Sequence, residues 1–331
     1  MENKKKPFIS FIVPCYDLPI EMLAECIDSI LALPLRRDER EIILVDDGSR
    51  QSPAGGLAER MDEITYIRQE NQGLSMARNA GIDMAAGDFI QFVDGDDMLI
   101  KSGYEECLRM AKSNEYDVIL FHPASKRKAG SMKRHKAFRA TSGEEYMLKN
   151  NQRAVVWGYI FRKDLLGDLR FTPGTLHEDE EFTPQLLLRA KRLCATKAIA
   201  YFYRQRPNSI THNANKRNII KRLNDTERII SHLAQIAQSK EPLARKAMER
   251  RVAQLTMDYI YNIIRLAPSG TQLERRLKRL AGNGLFPLPK QRYTATYTLF
   301  RTVTGNRLAR TLLTKLLKLA HCPACRMPSH P

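Results

Sequence analysis

The sequence contains no long hydrophobic run, although 43% of its 331 residues are apolar. A membrane-spanning helix needs about 20 consecutive, predominantly apolar residues, and no stretch of 18 uncharged apolar residues occurs. A secretory signal peptide is not predicted either, because the apolar segment after the N-terminal lysines ends at Pro14 without a cleavage site of small residues. These absences favour a chain that folds in water.

Cysteine is scarce, with six residues in the chain. A long chain with so few cysteines does not depend on a disulfide framework, and a reducing cytoplasm is the expected compartment. Cys322 and Cys325 form a Cys-Pro-Ala-Cys sequence near the C-terminus. Zinc sites of this type use a second spaced pair of ligands. Because the sequence lacks that pair, we interpret the two thiols as free.

The net charge of +17 is divided unevenly along the chain. Residues 1–115 hold 13 Lys and Arg against 22 Asp and Glu, a net charge of −9, whereas residues 116–331 hold 41 against 15, a net charge of +26. An acidic part suits the handling of a cation, and a basic part suits an anionic partner such as a membrane surface, lipid phosphates or nucleic acid. The basic residues match no nucleic-acid-binding module, so no nucleic acid is expected.

Strand-like and helix-like patterns alternate over the first third of the chain. Apolar runs predict strands, and helical periodicity predicts helices between them. The strands are predicted at residues 8–13, 41–45, 64–68, 89–93 and 116–121, and the helices at residues 19–31 and 74–86. Such alternation predicts an α/β fold with a mostly parallel, Rossmann-like sheet and helices on both faces. Ligands of these sheets bind beyond the carboxyl ends of the strands.

From residue 213 onward the pattern is helical throughout, which predicts two domains, residues 1–212 and 213–331. The last predicted helix, residues 307–320, has leucines on one side. Its basic residues, on the other side, are Arg307, Arg310, Lys315 and Lys318. Two interpretations of this helix stay open. A basic amphipathic helix is typical of a segment that lies on an anionic membrane surface, and the alternative is that the leucines pack inside while the basic residues stay in solvent.

Asp94 and Asp96 follow a predicted strand within the sequence Asp-Gly-Asp-Asp. Carboxylates this close together repel one another unless a cation or hydrogen bonds compensate. Mg²⁺ or Mn²⁺ would fit, because such hard ions bind one or two carboxylates together with substrate phosphates. An acidic turn in solvent is the alternative interpretation, since Asp-Gly is common in turns.

Three further segments carry polar side chains where predicted elements begin or end. Asp46 and Asp47 end a strand, where they either contact a base or ribose or cap a turn. Arg78 follows the segment Asn71-Gln-Gly-Leu-Ser75 and either contacts a phosphate or has a structural role. The segment Glu178-Asp-Glu-Glu181 is either a solvated helix N-terminus or the source of a general base.

The order of these segments resembles the motif series of the bacterial family 2 glycosyltransferases, which have the GT-A fold. The resemblance covers roughly residues 7–211 and is specific because six motifs occur in succession. They are Ser10-Phe-Ile-Val-Pro-Cys-Tyr16, Ile43-Leu-Val-Asp-Asp-Gly-Ser49, Glu70-Asn-Gln-Gly-Leu-Ser-Met-Ala-Arg-Asn79, Phe92-Val-Asp-Gly-Asp-Asp97, Glu178-Asp179 and Tyr203-Arg-x-Arg-x-x-Ser-Ile210. The C-terminal helices lie outside the shared pattern.

The resemblance implies a nucleotide site at the strand ends. Pro14 and Tyr16 would border the nucleotide, with Tyr16 stacked on its base. Asp46 would hydrogen-bond the base, and Asp47 would support that loop. Arg78 would contact the nucleotide or its diphosphate.

The resemblance also implies the reacting end of the site. Asp94 would contact the ribose or the metal, and Asp96 would bind the Mg²⁺ or Mn²⁺ that bridges the diphosphate. Asp179 would be the catalytic base. Arg204 and Arg206 would close over the diphosphate.

The implied activity is inverting transfer of a sugar from a nucleotide-diphosphate donor, preferably a UDP-sugar, to a glycan or lipid-linked acceptor in surface polysaccharide synthesis. The enzyme would be cytoplasmic, or peripheral on the inner face of the membrane. The resemblance does not decide whether Asp96 or Asp97 binds the metal more directly.

Three further functions stay open on the sequence. A sugar-phosphate nucleotidyltransferase would have a similar sheet, although its glycine-rich phosphate loop is missing from residues 10–16. A basic nucleic-acid-binding protein would account for the positive charge, and an inactive glycan-binding relative would share the motifs. The oligomeric state is not predicted.

Overall fold

The computed structural model describes residues 6–124, 139–205, 216–266 and 270–320. The chain divides into two compact units, one made of Met1–Tyr146 and Arg153–His212 and the other of Met147–Gln152 and Asn213–Pro331. Apart from the short segment Met147–Gln152, this division falls at the residue where the sequence predicts a second domain. The separate tasks of the two parts stay a prediction.

An eight-stranded sheet forms the first unit. Its strands are β1 (Ile9–Cys15), β2 (Arg40–Asp46), β3 (Ile64–Arg68), β4 (Phe89–Phe92), β5 (Met98–Leu99), β6 (Val118–Ala124), β7 (Tyr159–Arg162) and β8 (Leu193–Phe202). They lie in the order β3-β2-β1-β4-β7-β6-β8-β5. β1 to β4 are mutually parallel, as predicted, and β6 pairs in parallel with β8. The pairs β4–β7, β6–β7 and β5–β8 are antiparallel, so the sheet is more mixed than predicted.

Helices pack on the faces of this sheet, and further helices make up the second unit. In chain order they are α1 (Ile20–Leu31), α2 (Leu74–Met84), α3 (Lys101–Lys112), α4 (Gly143–Lys149), α5 (Glu178–Arg189), α6 (Lys216–Gln238), α7 (Pro242–Leu266), α8 (Gly270–Gly282), α9 (Ala295–Gly305) and α10 (Arg307–Ala320). Short 3₁₀ segments cover Gly55–Glu63, Val156–Gly158 and Lys163–Leu165. Every residue of β1 is buried, because helices cover both faces of a central parallel strand.

The sheet opens at one place, between the carboxyl ends of β1 and β4. β2 and β3 lie on one side of β1, and β4 lies on the other side, so the strand order reverses at this point. The pairing of β1 with β2 continues to Cys15 and Asp46, whereas its pairing with β4 stops at Ile12 and Phe92. Such a switch point is where open α/β sheets bind ligands, so this topology predicts a binding crevice between the carboxyl ends of β1 and β4.

The second unit is helical. Apolar residues of α6 and α7, among them Ile230, Leu233, Ile260 and Ile263, are buried. Arg250 and Arg251 of α7 donate to the carbonyls of Leu148 and Gln152, which hold the segment Met147–Gln152 in this unit. Among the helices described, none has the length and apolar character that crossing a bilayer requires.

The orientation of α10 contradicts one of the two sequence interpretations. Leu308, Leu312 and Leu316 are exposed, and Arg310, predicted on the solvent side, is buried. The reason is an ion pair inside the second unit: Arg310 binds Glu274 of α8 and turns its own side of the helix inward.

Candidate functional site

The Asp46 carboxylate lies at the end of β2 and is completely buried. Its Oδ1 accepts a hydrogen bond from the backbone N–H of Ser49 (2.8 Å), and its Oδ2 accepts one from the Tyr66 hydroxyl (2.8 Å). The carboxylate thus shapes the turn that follows the strand. In this conformation it has no accessible surface with which to meet the nucleotide base that the resemblance assigns to it.

Asp47 holds the start of α2. Its two oxygens accept hydrogen bonds from the backbone N–H groups of Gln72 (2.9 Å) and Gly73 (2.8 Å). Gly48 makes this approach possible, because its φ is +78° and a Cβ there would lie 2.7 Å from the backbone nitrogen of Asn71. Two backbone amide groups at the start of α2 are therefore bound by the protein's own carboxylate.

The loop after β1 is tied to the same turn. The backbone N–H of Asp17 donates to the Ser49 hydroxyl (2.9 Å), and the Asp17 carboxylate accepts from the backbone N–H of Arg50 (2.9 Å). Tyr16 is 49% exposed, the surface that a ring needs to stack on a base. Pro14 is buried at the end of β1.

A cavity of about 380 Å³ opens beside these two loops. Pockets for small molecules have volumes of about 300–1,000 Å³. The lining residues are Cys15, Leu18, Pro19, Ile20, Leu23, Ser49, Gln51, Ser52, Pro53 and Gly56. The lining combines an apolar wall with hydroxyl and amide groups, which suits a flat, partly polar ring.

The Asp94–Asp97 turn follows β4 in the chain. Gly95 packs against the end of β1, since a Cβ on it would lie 3.0 Å from the Pro14 carbonyl oxygen. Asp94 and Asp96 keep accessible surface, whereas Asp97 is 1% exposed. The Tyr201 hydroxyl (2.9 Å) and the backbone N–H of Arg204 (2.7 Å) donate to Asp97.

Burial, followed by the charge of Asp94, raises the pKa of Asp97 to about 8. The Asp97 carboxylate is thus buried against protein donors, whereas Asp96 keeps accessible surface beside Asp94. The sequence left the choice between Asp96 and Asp97 open, and the burial of Asp97 favours Asp96.

Arg204 holds this turn in place. Its Nε donates to the Asp96 carbonyl oxygen (2.8 Å), and its Nη2 donates to the Glu25 carboxylate of α1 (2.5 Å). The guanidinium is thus engaged with protein groups, whereas the resemblance assigns it to the diphosphate. Arg206, which shares that assignment, lies outside the described residues.

Arg78 of α2 joins the two acidic segments. It is 3% exposed, its Nη2 donates to Oδ1 of Asp94 (2.8 Å), and its Nη1 donates to the Glu178 carboxylate. Its Cζ lies 5.5 Å from the centre of the Phe171 ring. In this conformation the side chain links the two acidic segments, and its contact with a nucleotide or diphosphate stays a prediction.

The neighbouring Asn79 makes a second link to the same region. Its amide donates to the Phe171 carbonyl and accepts from the Phe171 N–H, both at 2.9 Å. The Phe171 ring stacks on Phe182 of α5 with 4.0 Å between ring centres. Two adjacent residues of α2 therefore position a segment that follows them by more than 90 residues.

Asp179 lies in the first turn of α5 and is partly exposed. Burial by itself lowers the pKa of the Arg78 guanidinium, but the carboxylates of Asp94, Glu178 and Asp179 outweigh that effect, and the net shift is upward. Asp179 is thus close enough to interact with the Arg78 guanidinium, which also binds Asp94. His177, with φ at +62°, sets the chain direction just before the helix.

The sequence did not predict the roles of Glu178, Tyr201 and Glu25. Glu178 was visible only as the neighbour of Asp179, and the other two lie outside the motif series. Among the described residues, no group of three or more His, Cys, Asp or Glu side chains is arranged to hold a metal ion. Magnesium often takes only one or two carboxylates and completes its shell with water and phosphate. The accessible pair Asp94 and Asp96 fits that requirement.

Comparison with known proteins agrees with this architecture. Residues 10–169 match the model of glycosyl transferase family 2. The chain is 33% identical over 225 residues to the uncharacterized glycosyltransferase EpsJ of Bacillus subtilis, a match that covers 62% of this chain and 63% of EpsJ. The chain thus spans less than two thirds of that relative.

Two solved structures share the fold. S. aureus TarS 1-349 in complex with UDP-GlcNAc superimposes with a TM-score of 0.67 at 17% identity, over 94% of this chain and 88% of that TarS fragment. The mannosyltransferase PcManGT from Pyrobaculum calidifontis, in complex with GDP-Man and Mn²⁺, superimposes with a TM-score of 0.54 at 14% identity, over 95% of this chain and 86% of that one. Residues 10–169 of this chain therefore belong to the family 2 glycosyltransferases and form part of a GT-A fold.

Proposed function

We propose that this protein transfers a sugar from a nucleotide-diphosphate donor to a hydroxyl group of a glycan or lipid-linked acceptor, with inversion at the anomeric carbon. The observation that carries the proposal is the contact of Arg78 with both Asp94 and Glu178, because it joins the acidic turn after β4 to the first turn of α5. A metal-binding pair and a candidate base beside one crevice are what such a reaction needs.

A UDP-sugar is the donor that we propose. The crevice between β1 and β4 is the position at which sheets of this kind bind nucleotides. Tyr16 offers an exposed ring for the base, and the turn at Asp46 and Asp47 forms the adjoining wall. The similarity in fold to TarS, solved with UDP-GlcNAc, supports this choice.

Asp179 would act on the acceptor. Its carboxylate would take the proton of the acceptor hydroxyl while that oxygen attacks the anomeric carbon and the bond to the diphosphate breaks. Asp94 and Asp96 would hold a divalent cation, whose charge offsets the negative charge that develops on the leaving diphosphate. A single displacement by the acceptor oxygen, from the face opposite the leaving diphosphate, inverts the configuration at the anomeric carbon.

Arg78 would position Asp94 and the first turn of α5 without touching the sugar. Its guanidinium fixes Glu178, and through the helix backbone it fixes Asp179, the next residue. A base held by a packed helix keeps its distance to the bound sugar, and catalysis depends steeply on such distances.

Incubation with a panel of nucleotide sugars, in Mn²⁺ and in EDTA, tests the proposal. We expect release of the nucleoside diphosphate from one donor class, faster in Mn²⁺, and an inverted product anomer by NMR once an acceptor is found. A nucleotidyltransferase would instead release pyrophosphate from a nucleoside triphosphate and a sugar phosphate.

The Asp179→Asn variant tests the base. We expect turnover to fall by about 10²-fold or more, the scale of general-base catalysis, with donor affinity unchanged. Glu180→Gln is the matched control, because it removes the same charge one residue further along α5. Near-normal turnover of Asp179→Asn would overturn the assignment.

A further inference from the structure

The last helix of the second unit presents an apolar stripe to solvent. Leu308, Leu312 and Leu316 of α10 are 83%, 60% and 54% exposed. Residues four apart lie on the same face of a helix, so the three side chains form one continuous row. Leu299 of α9, the helix against which α10 packs, is also exposed. A monomeric protein gains nothing from displaying such a row in water.

The opposite side of α10 is fixed to its own unit. Arg310 is 7% exposed, and its Nη2 lies 3.0 Å from Oε1 of Glu274. Its Nη1 donates to the Thr304 carbonyl (2.6 Å), and its Cζ lies 5.7 Å from the centre of the Phe286 ring. Turning the helix to hide its leucines would separate the buried Arg310 guanidinium from the half-exposed Glu274 carboxylate and from the Thr304 carbonyl, so these contacts keep the leucines exposed.

The part of the sequence that contains this row carries side-chain charge of one sign. Residues 275–331 contain 12 Lys and Arg and no Asp or Glu. Arg307 and Lys315 of α10 are exposed. The sequence prediction that Lys315 lies opposite the leucines is wrong, because Lys315 follows Leu308 by seven residues, almost two full turns, and so shares the leucine face. Leucines and a lysine on one face match the boundary between lipid tails and phosphate headgroups, where the long basic side chain reaches the phosphates.

We propose that α10 binds to the surface of a membrane that contains anionic lipids, with Leu308, Leu312 and Leu316 inserted and Arg307 and Lys315 at the headgroups. A second copy of this chain fits the face poorly, because pairing would bring two basic surfaces together. An acidic lipid surface supplies the opposite charge and the apolar phase at once.

Flotation of the full-length protein with vesicles tests this proposal. We expect binding to phosphatidylcholine vesicles that contain about a third phosphatidylglycerol, and weak binding to phosphatidylcholine alone, because each basic residue near an anionic surface strengthens binding by about fivefold. The triple variant Leu308→Gln, Leu312→Gln, Leu316→Gln should lose binding by about tenfold or more, while glutamine keeps the helix propensity.

A matched triple variant controls for the loss of exposed apolar surface. Ile220, Leu243 and Leu266 lie in α6 and α7 and are 44%, 44% and 38% exposed. Their replacement by glutamine should leave vesicle binding unchanged. Circular dichroism melts of both triple variants establish that they fold.

A pair of charge variants separates the contribution of α10 from general basicity. The double variant Arg307→Gln, Lys315→Gln should bind anionic vesicles more weakly than the wild type. The control double variant Lys191→Gln, Lys197→Gln, at two exposed lysines of the first unit, should weaken binding less. Equal binding of the wild type and the α10 triple variant would overturn the proposal. The proposal would also be overturned if the leucine substitutions left vesicle binding unchanged and only converted a dimer to a monomer, as measured by analytical ultracentrifugation without lipid.

Discussion

Replacement of Arg78 by methionine should destabilise the first unit strongly. Methionine keeps much of the length and packing of the side chain but removes the charge. The Glu178 side chain, 10% exposed, and the Asp94 side chain, 26% exposed, would then face each other without the cation between them. Removing one partner of a buried pair costs about 3–5 kcal/mol. We expect the lower part of that range, since a quarter of Asp94 already reaches water.

The cost should come from the stranded carboxylate and not from lost packing. A second substitution, Glu178→Met, removes the more buried of the two carboxylates that Arg78 contacts. The double variant should therefore be more stable than Arg78→Met alone, by about 1 kcal/mol or more, because a buried ion pair can be replaced by apolar side chains at little cost.

The chain offers a local probe for this measurement. Trp157 is its only tryptophan, is 5% exposed, and stacks on Tyr201 with 4.4 Å between ring centres. Its fluorescence during urea unfolding reports the first unit, to which both residues belong. Arg109→Met, on the exposed side of α3, is the control and should change the unfolding free energy by less than about 0.5 kcal/mol.

Two results would refute the reasoning. One is an Arg78→Met variant whose unfolding free energy equals that of the wild type within about 0.5 kcal/mol, the usual effect of a surface substitution. The other is a double variant less stable than Arg78→Met by the full cost of Glu178→Met alone. That result would mean that Arg78 and Glu178 do not interact.

Two further predictions concern the metal and the cysteines. Asp96→Ala should lower the donor affinity measured by calorimetry in Mn²⁺ to the value measured in EDTA. The control Asp62→Ala, at an exposed position, should keep the higher affinity in Mn²⁺. An Asp96→Ala variant that keeps the full difference between Mn²⁺ and EDTA would show that Asp96 is not a metal ligand. Burial raises the pKa of the Cys15 thiol to about 12, so the thiol stays protonated at pH 8. Iodoacetamide should therefore alkylate Cys15 far more slowly in the native protein than in the denatured protein. Mass spectrometry of iodoacetamide-treated protein checks this, and rapid native labelling of Cys15 would contradict its burial.

The first four strands and the first two helices could be predicted from local pattern. β1 and β2 are short apolar runs bounded by polar turns, and α1 buries Leu23, Cys26, Ile27 and Ile30 at helical spacing. Such periods are properties of neighbouring residues, so they need no knowledge of distant contacts. The order of the six motifs likewise required only the sequence.

Apart from β6, which overlaps the strand predicted at residues 116–121, the second half of the sheet could not be predicted in the same way. β7 has four residues, and β8 alternates buried and exposed positions over only part of its length. The antiparallel neighbours of β4 and β6 depend on chain reversals far from either strand. Pairing of this kind is decided by the closure of the sheet, which local propensity does not specify.

The sequence by itself determined which side chains are present at the strand ends and which faces of the helices are apolar. Only the tertiary structure decided which of those groups find partners. It paired Arg78 with Glu178, one hundred residues away, and it turned Arg310 inward while leaving the leucines of α10 in solvent. The physical reason is that periodicity fixes the faces of an element, whereas the burial of a charge depends on an opposite charge that folding brings beside it.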